Sequence, residues 1–223
     1  MILKVLHPRF FENKDWAIAL FLVTFFLVAL TKTTFEKRFS EFFRLAVSNK
    51  YLKTYRDSSH LMTGFNIIMF FVNLFSLSFF ILIIASNYKP YLKNDWIFYI
   101  QVSTFLFVFI LVKYLIEKII ATLFSAEEFV ELFNLQKISY RSYIGLLFLP
   151  VSMFLYYTNY SSKLIIYIII GLFLFINAII YLIFLKNYQK IIISKLFYFI
   201  LYLCTLEIAP YYFLFYLIKK NSA

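Results

Sequence analysis

The sequence predicts an all-α, polytopic membrane protein with about six transmembrane helices and two interfacial amphipathic helices. Three observations carry this. The 223-residue chain is 63% hydrophobic and only 15% charged, where a soluble domain is about a quarter charged. Its apolar residues form continuous runs, which suit helices and not the alternating ten-residue segments of a membrane barrel. Most of its 22 Lys and Arg lie between those runs, as the positive-inside bias would place them. No Gly/Ser/Pro-rich linker interrupts the chain, so residues 1–223 read as a single integral membrane domain.

The first span is expected at 16–31, opened by Asp15-Trp16. Asp suits a helix N-cap and Trp suits the headgroup layer. Val28-Ala29-Leu30 is no A-x-A cleavage site, so the run reads as a retained span, not a signal peptide. Residues 32–60 then carry seven Lys or Arg. Within them Phe35, Phe39, Phe42, Phe43 and Ala46 fall on one helical face, opposite Glu36, Lys37, Glu41 and Arg44. That pattern predicts a helix over 35–46 lying in the membrane interface, its apolar face in the headgroups or against a partner.

The second span, 61–85, carries Asn66 and Asn73 seven residues apart, then Ser76 and Ser78, groups that hydrogen-bond between membrane helices. A turn follows at Asn87-Tyr88-Lys89-Pro90. The third span, 96–116, opens with Asp95-Trp96, an echo of Asp15-Trp16 that puts both helix starts on one side. Near its far end Lys113 is expected to snorkel to water beside Glu117. Residues 117–141 read as the second amphipathic loop, with a surface helix over 119–133 whose Glu127, Glu128 and Glu131 face the basic first loop. The fourth span, 143–157, is short and reads as broken by Pro150; the fifth is 164–185, with Asn177 near its middle. Loops after the odd-numbered spans hold fourteen of the Lys and Arg, which places both termini outside the cytoplasm.

The last span, 196–218, is apolar except for Cys204, Thr205 and Glu207, and reads as the stretch around which the chain is arranged. A carboxylate at that depth costs roughly 2.5–3.5 kcal/mol on insertion scales, so it faces protein or water. Cys204, Glu207 and Tyr211 share a face, and Pro210 would kink the helix and free a carbonyl beside the acid. With Asn73 and Asn177 at similar depths, these five residues form the candidate intramembrane polar cluster, in which a protonated Glu207 would donate to an Asn carbonyl.

No metal, cofactor or nucleic acid is expected. His7 and His60 fall on opposite sides of the predicted membrane, without ligand-spaced partners. The basic residues make no patch on a soluble domain, and no phosphate loop, zinc motif or nucleophile elbow is present. The expected partners are the lipid bilayer and other membrane subunits, docked through 32–60 and 117–141.

The stretch Tyr202-Leu203-Cys204-Thr205-Leu206-Glu207-Ile208-Ala209-Pro210 resembles the signature of a Bacteroidota inner-membrane family called domain of unknown function 4271. Asp15-Trp16, Lys37-Arg38-Phe39, Asn49-Lys50-Tyr51, Phe65-Asn66, and Tyr143-Ile144-Gly145 with Leu149-Pro150 fit it too. The resemblance covers most of the chain. It implies a bacterial inner-membrane location and a multi-pass topology, and brings no catalytic residue. Three functions are weighed on these residues: a non-catalytic subunit or assembly factor of an envelope complex, a proton-coupled transporter using Glu207, and a membrane enzyme acting on a lipid or quinone.

Overall fold

A computed structural model describes residues 15–44, 63–123, 125, 127–158 and 163–187, and all of its regular structure there is helical. The elements are α1 (Asp15–Thr34), α2 (Glu36–Phe43), α3 (Gly64–Tyr88), a short 3-10 helix (Pro90–Asn94), α4 (Trp96–Leu123), α5 (Glu127–Tyr157) and α6 (Lys163–Asn187). Three stretches are long and apolar enough to cross a membrane: Asp15–Thr34, Gly64–Tyr88 and Asn134–Tyr157. A shorter apolar helix covers Leu164–Ile179. The expected sixth span lies outside the described residues.

Among the described residues the centre is α3; the final stretch, 196–218, is not among them. Helix α3 packs against α1, α4 and α5, with its most extensive contact to α5. It is apolar nearly all round, as a helix enclosed by neighbours must be. Its polar residues Asn66, Asn73, Ser76 and Ser78 are all buried. Ser78 Oγ donates to the Leu74 carbonyl at 2.8 Å, so that hydroxyl is satisfied within its own turn. The outer faces carry the reverse composition, with Leu22, Phe26, Phe105, Phe154 and Phe175 exposed. Polar groups turned inward and large apolar groups turned outward invert the usual soluble arrangement.

The helices alternate in direction. At one end the Trp16 ring lies 5.5 Å from Tyr99 and 6.2 Å from Tyr156, centroid to centroid. The start of α1, the start of α4 and the end of α5 therefore meet. The Tyr156 hydroxyl donates to the Lys93 carbonyl at 3.2 Å, tying α5 to the 3-10 turn. The Tyr88 and Tyr167 hydroxyls, 3.3 Å apart, bring the end of α3 to the start of α6. The shared end for the two Asp-Trp pairs agrees with the sequence. Asp95 is a true cap, its Oδ1 accepting from the Ile97 and Phe98 amides at 3.0 and 3.2 Å. The tryptophans differ. Trp96 is 55% exposed, while Trp16 is built into the aromatic core beside Phe79.

Two expectations about the loops are corrected. Residues 119–133 are not a separate surface helix: 119–123 finish α4 and 127–133 begin α5. The turn between them is tight. Ser125 takes a left-handed φ of 49°, and its amide donates to the Thr122 carbonyl at 3.2 Å. Nor does Pro150 break the fourth span, because α5 runs 31 residues straight through it. A membrane-class helix tolerates such a proline when neighbouring helices hold the segment on both sides of the lost bond.

Helix α2 is present over Glu36–Phe43, inside the 35–46 expected. Most of its apolar face, however, is covered by this chain, while Phe43 stays 54% exposed. Phe42 is buried with Phe65, Met69 and Tyr140, and Phe35, Phe39 and Tyr143 pack around them. The Phe42 ring sits 5.4 Å from Phe65 and 5.8 Å from Tyr143. A phenylalanine stripe has the same period whether lipid or protein covers it, which is why periodicity alone left the cover open.

Candidate ligand-binding site

Of the five residues of the expected intramembrane cluster, only Asn73 and Asn177 are among the described residues. Glu207, Cys204 and Tyr211 lie outside the described residues. Asn73 is buried between α3 and α5. Asn177 instead sits on the exposed face of α6, where its Nδ2 donates to the Phe173 carbonyl at 2.8 Å. That bond keeps the amide on its own helix, and it does not join Asn73.

Polar groups gather at a different place, the end of the bundle where α4 finishes and α3 and α5 begin. A cavity of about 280 Å³ opens there. Helix α3 contributes Asn66, Ile67, Phe70, Phe71 and Asn73; α4 contributes Phe107, Ile110, Leu111, Lys113, Tyr114 and Glu117. Asn134, Lys137, Ile138, Arg141 and Ser142 come from α5, four of them polar groups along one helical face. Phe107 packs 6.1 Å from Phe70 and 6.4 Å from Phe71, forming an aromatic wall between α3 and α4. Ile67, Phe71 and Leu111 both line the cavity and are exposed, so they form its rim.

The charges within are unequal. Lys113, Lys137 and Arg141 line the cavity against one carboxylate, Glu117. Lys137 Nζ donates to Glu117 Oε1 at 3.0 Å, and Glu117 is only 2% exposed. Lys113 does not snorkel to water: it is 8% exposed, because the first turns of α5 fold back along the end of α4 and cover it. A buried cation needs nearby countercharge or acceptors. Among the described lining residues three cations stand against one carboxylate, so the charge of the lining is net positive.

Arg38 extends this region. It lies on the buried side of α2, its Nη1 donating to Thr63 Oγ1 at 2.7 Å and its Nη2 to Asn66 Oδ1 at 3.1 Å. The guanidinium also lies 4.8 Å from the centre of the Phe65 ring. Asn66 thus links the Arg38 clamp to the cavity wall. Beside it, α5 comes so close to α3 that a Cβ on Gly145 would lie 2.7 Å from Asn73 Cα. Lys37-Arg38-Phe39, Phe65-Asn66 and Tyr143-Ile144-Gly145, scattered in sequence, converge here.

Residues 17–218 match the family described as a domain of unknown function (DUF4271). The chain belongs to this family. No curated protein and no solved structure matches it. The DUF4271 match takes in every described helix except the first two residues of α1 and supplies no chemistry, so the site rests on geometry. Among the described residues no group of three His, Cys, Asp or Glu could hold a metal ion.

Sequence reasoning passed over Lys113, Glu117, Lys137 and Arg141 as a unit. A signal was there. Lys113 and Glu117 are four residues apart, as are Lys137 and Arg141, so each pair shares a helix face. Reading 117–141 as wet loop concealed that these faces could meet.

Proposed function

We propose that this DUF4271 protein is a multi-pass protein of the bacterial inner membrane, of Bacteroidota type, serving as a non-catalytic subunit or assembly factor of a cell-envelope complex. Six spans are proposed: the five apolar helices α1, α3, α4, α5 and α6, with 196–218 as the sixth. The inverted burial pattern and the alternating helix directions support this arrangement. The cavity end also gathers Arg38, Lys113, Lys118, Lys137 and Arg141, as the cytoplasmic end of a positive-inside protein would. Both termini are then outside the cytoplasm.

One observation carries the subunit reading. Leu115, Ile119 and Leu123 form an exposed stripe along α4, Leu123 being 75% exposed. With Trp96 at the opposite headgroup layer, Leu123 lies about 40 Å along the helix at 1.5 Å per residue. The hydrocarbon core is only ~30 Å thick, and an ordinary tilt shortens the reach by a few Å at most. Lipid tails therefore cover Leu115 but leave Ile119 and Leu123 beyond them. An apolar stripe in that layer suits a protein partner.

Two measurements test this. A photo-crosslinking amino acid at Ile119 or Leu123 should give a discrete adduct with another protein in native membranes, while one at Phe105 should label lipid. Adducts to lipid alone at all three positions would remove the subunit reading. For orientation, a green fluorescent protein fused after Ala223 should stay dark in cells that accumulate the intact fusion. Bright cells would reverse the topology.

A further inference from the structure

We propose that the cavity between α3, α4 and α5 binds the phosphate headgroup of an anionic phospholipid, which enters sideways between α3 and α4. The proposal rests on the membrane reading above and adds the ligand. Four features of the cavity point to it. Its described lining carries Lys113, Lys137 and Arg141 with one carboxylate, Glu117, a net positive charge that an anion would complement. Arg141 offers a planar fork suited to two phosphate oxygens, and Lys113 and Lys137 act as point charges. Its rim is apolar and exposed at Phe71 and Leu111, which face where acyl chains would lie.

The remaining two features are depth and size. Lys113 is 17 residues beyond Trp96, about 26 Å along α4, close to the inner boundary of a ~30 Å hydrocarbon core. Phosphates of the bilayer lie at that boundary. At about 280 Å³ the cavity falls at the lower end of small-molecule pockets, room for a headgroup but not for the chains. The chains must then stay outside, against the exposed rim. Basic pockets between membrane helices on the cytoplasmic side take anionic headgroups for this same electrostatic reason. The shared chemistry is a phosphate ester, and the lipid-facing rim distinguishes a membrane source from a soluble one.

The test uses the full chain in nanodiscs of mixed phosphatidylethanolamine and phosphatidylglycerol, followed by native mass spectrometry of the released protein. The wild type should retain one phosphatidylglycerol, at about tenfold or more over phosphatidylethanolamine, roughly the size of one charge-assisted hydrogen bond. Arg141→Gln should lower retention by a similar factor. Phe71→Trp, which fills the mouth and leaves every charge in place, should also lower it and guards against misfolding of the Arg141 variant. Leu115→Trp, exposed and away from the cavity, should retain lipid like wild type. Equal retention of the two lipids by the wild type, or undiminished retention in both cavity variants, overturns the proposal. Displacement of the lipid by soluble glycerol phosphate or inorganic phosphate overturns the lipid source and assigns the site to a free phosphate. A chain that stays soluble without a bilayer would instead overturn the membrane reading, which keeps the two failures apart.

Discussion

Gly145→Ala should lower both the accumulation of the protein in membranes and its thermal stability in detergent. The reason is contact between backbones. A Cβ at position 145 would lie 2.7 Å from Asn73 Cα and 2.8 Å from Asn73 Cβ, and closer still to Asn73 Oδ1. Such distances require something to move. A flexible side chain could swing aside, but here the obstacle includes the α3 backbone, and α3 is hemmed in by α1, α4 and α5. The helix pair would have to separate along its most extensive contact. Overpacking of this kind costs typically ~1–3 kcal/mol, a large share of a stability of ~5–15 kcal/mol. Gly171→Ala is the control, since nothing lies within 4 Å of a Cβ there. It should be neutral, or stabilising by the ~0.5–1 kcal/mol that Ala gains over Gly in a helix. Size-exclusion thermal profiles of the two variants decide the matter. If they match each other, the α3–α5 approach is not what the geometry says it is.

The same contrast shows what could be read from the residues. Composition and periodicity do not distinguish Gly145 from Gly171, since both sit inside apolar helical runs, and the family motif that includes Gly145 does not say what it touches. Their difference is the partner helix, which only packing supplies. Helix existence was legible because it depends on local quantities: run length, the Asp95 cap, and the turn at Pro90, which starts the 3-10 helix. Helix cover was not legible. The α2 stripe fits lipid and protein equally, and a proline at 150 can end a helix or be carried within one. Charge was misread for a related reason. Lys113 lies within reach of water if nothing stands beside it, and the fold places α5 there.

Site residues divide along the same line. An amide in an apolar run needs a partner; Asn73 is buried where Gly145 of α5 approaches it, and its Oδ1 finds no hydrogen bond among the described residues. Asn177 met that need with its own Phe173 carbonyl, an option open to any amide one turn along a helix. Depth along a span therefore predicts that a polar group needs a partner, without saying which one. The cavity charges show the converse. Lys137 and Arg141 drew attention only as markers of sidedness, although their spacing put them on one face.

Arg38→Lys should release α2 from the bundle even though the charge is kept. In the native chain the guanidinium reaches two acceptors at once, Thr63 Oγ1 at 2.7 Å and Asn66 Oδ1 at 3.1 Å, while lying over Phe65. A lysine ammonium is a compact point charge that lacks the planar fork and is more strongly hydrated. It would satisfy one acceptor and lose the ring contact, or draw toward water and lose all three. Hydrogen bonds to charged groups contribute about 1.5–3 kcal/mol each, so losing one should be visible. The readout is maleimide labelling of Phe39→Cys in a Cys204→Ser background, because Phe39 packs at the edge of the Phe42–Phe65 cluster. Labelling should be slow with Arg38 present and several-fold faster with Lys. Asn66→Ala should speed it too, and combining the two changes should add less than their separate effects, since both act through one contact. Lys37→Gln, on the exposed side of α2, should leave the rate unchanged. If Arg38→Lys labels at the wild-type rate, or if Arg38 and Asn66 add fully, α2 is held by its phenylalanines alone and the guanidinium is incidental.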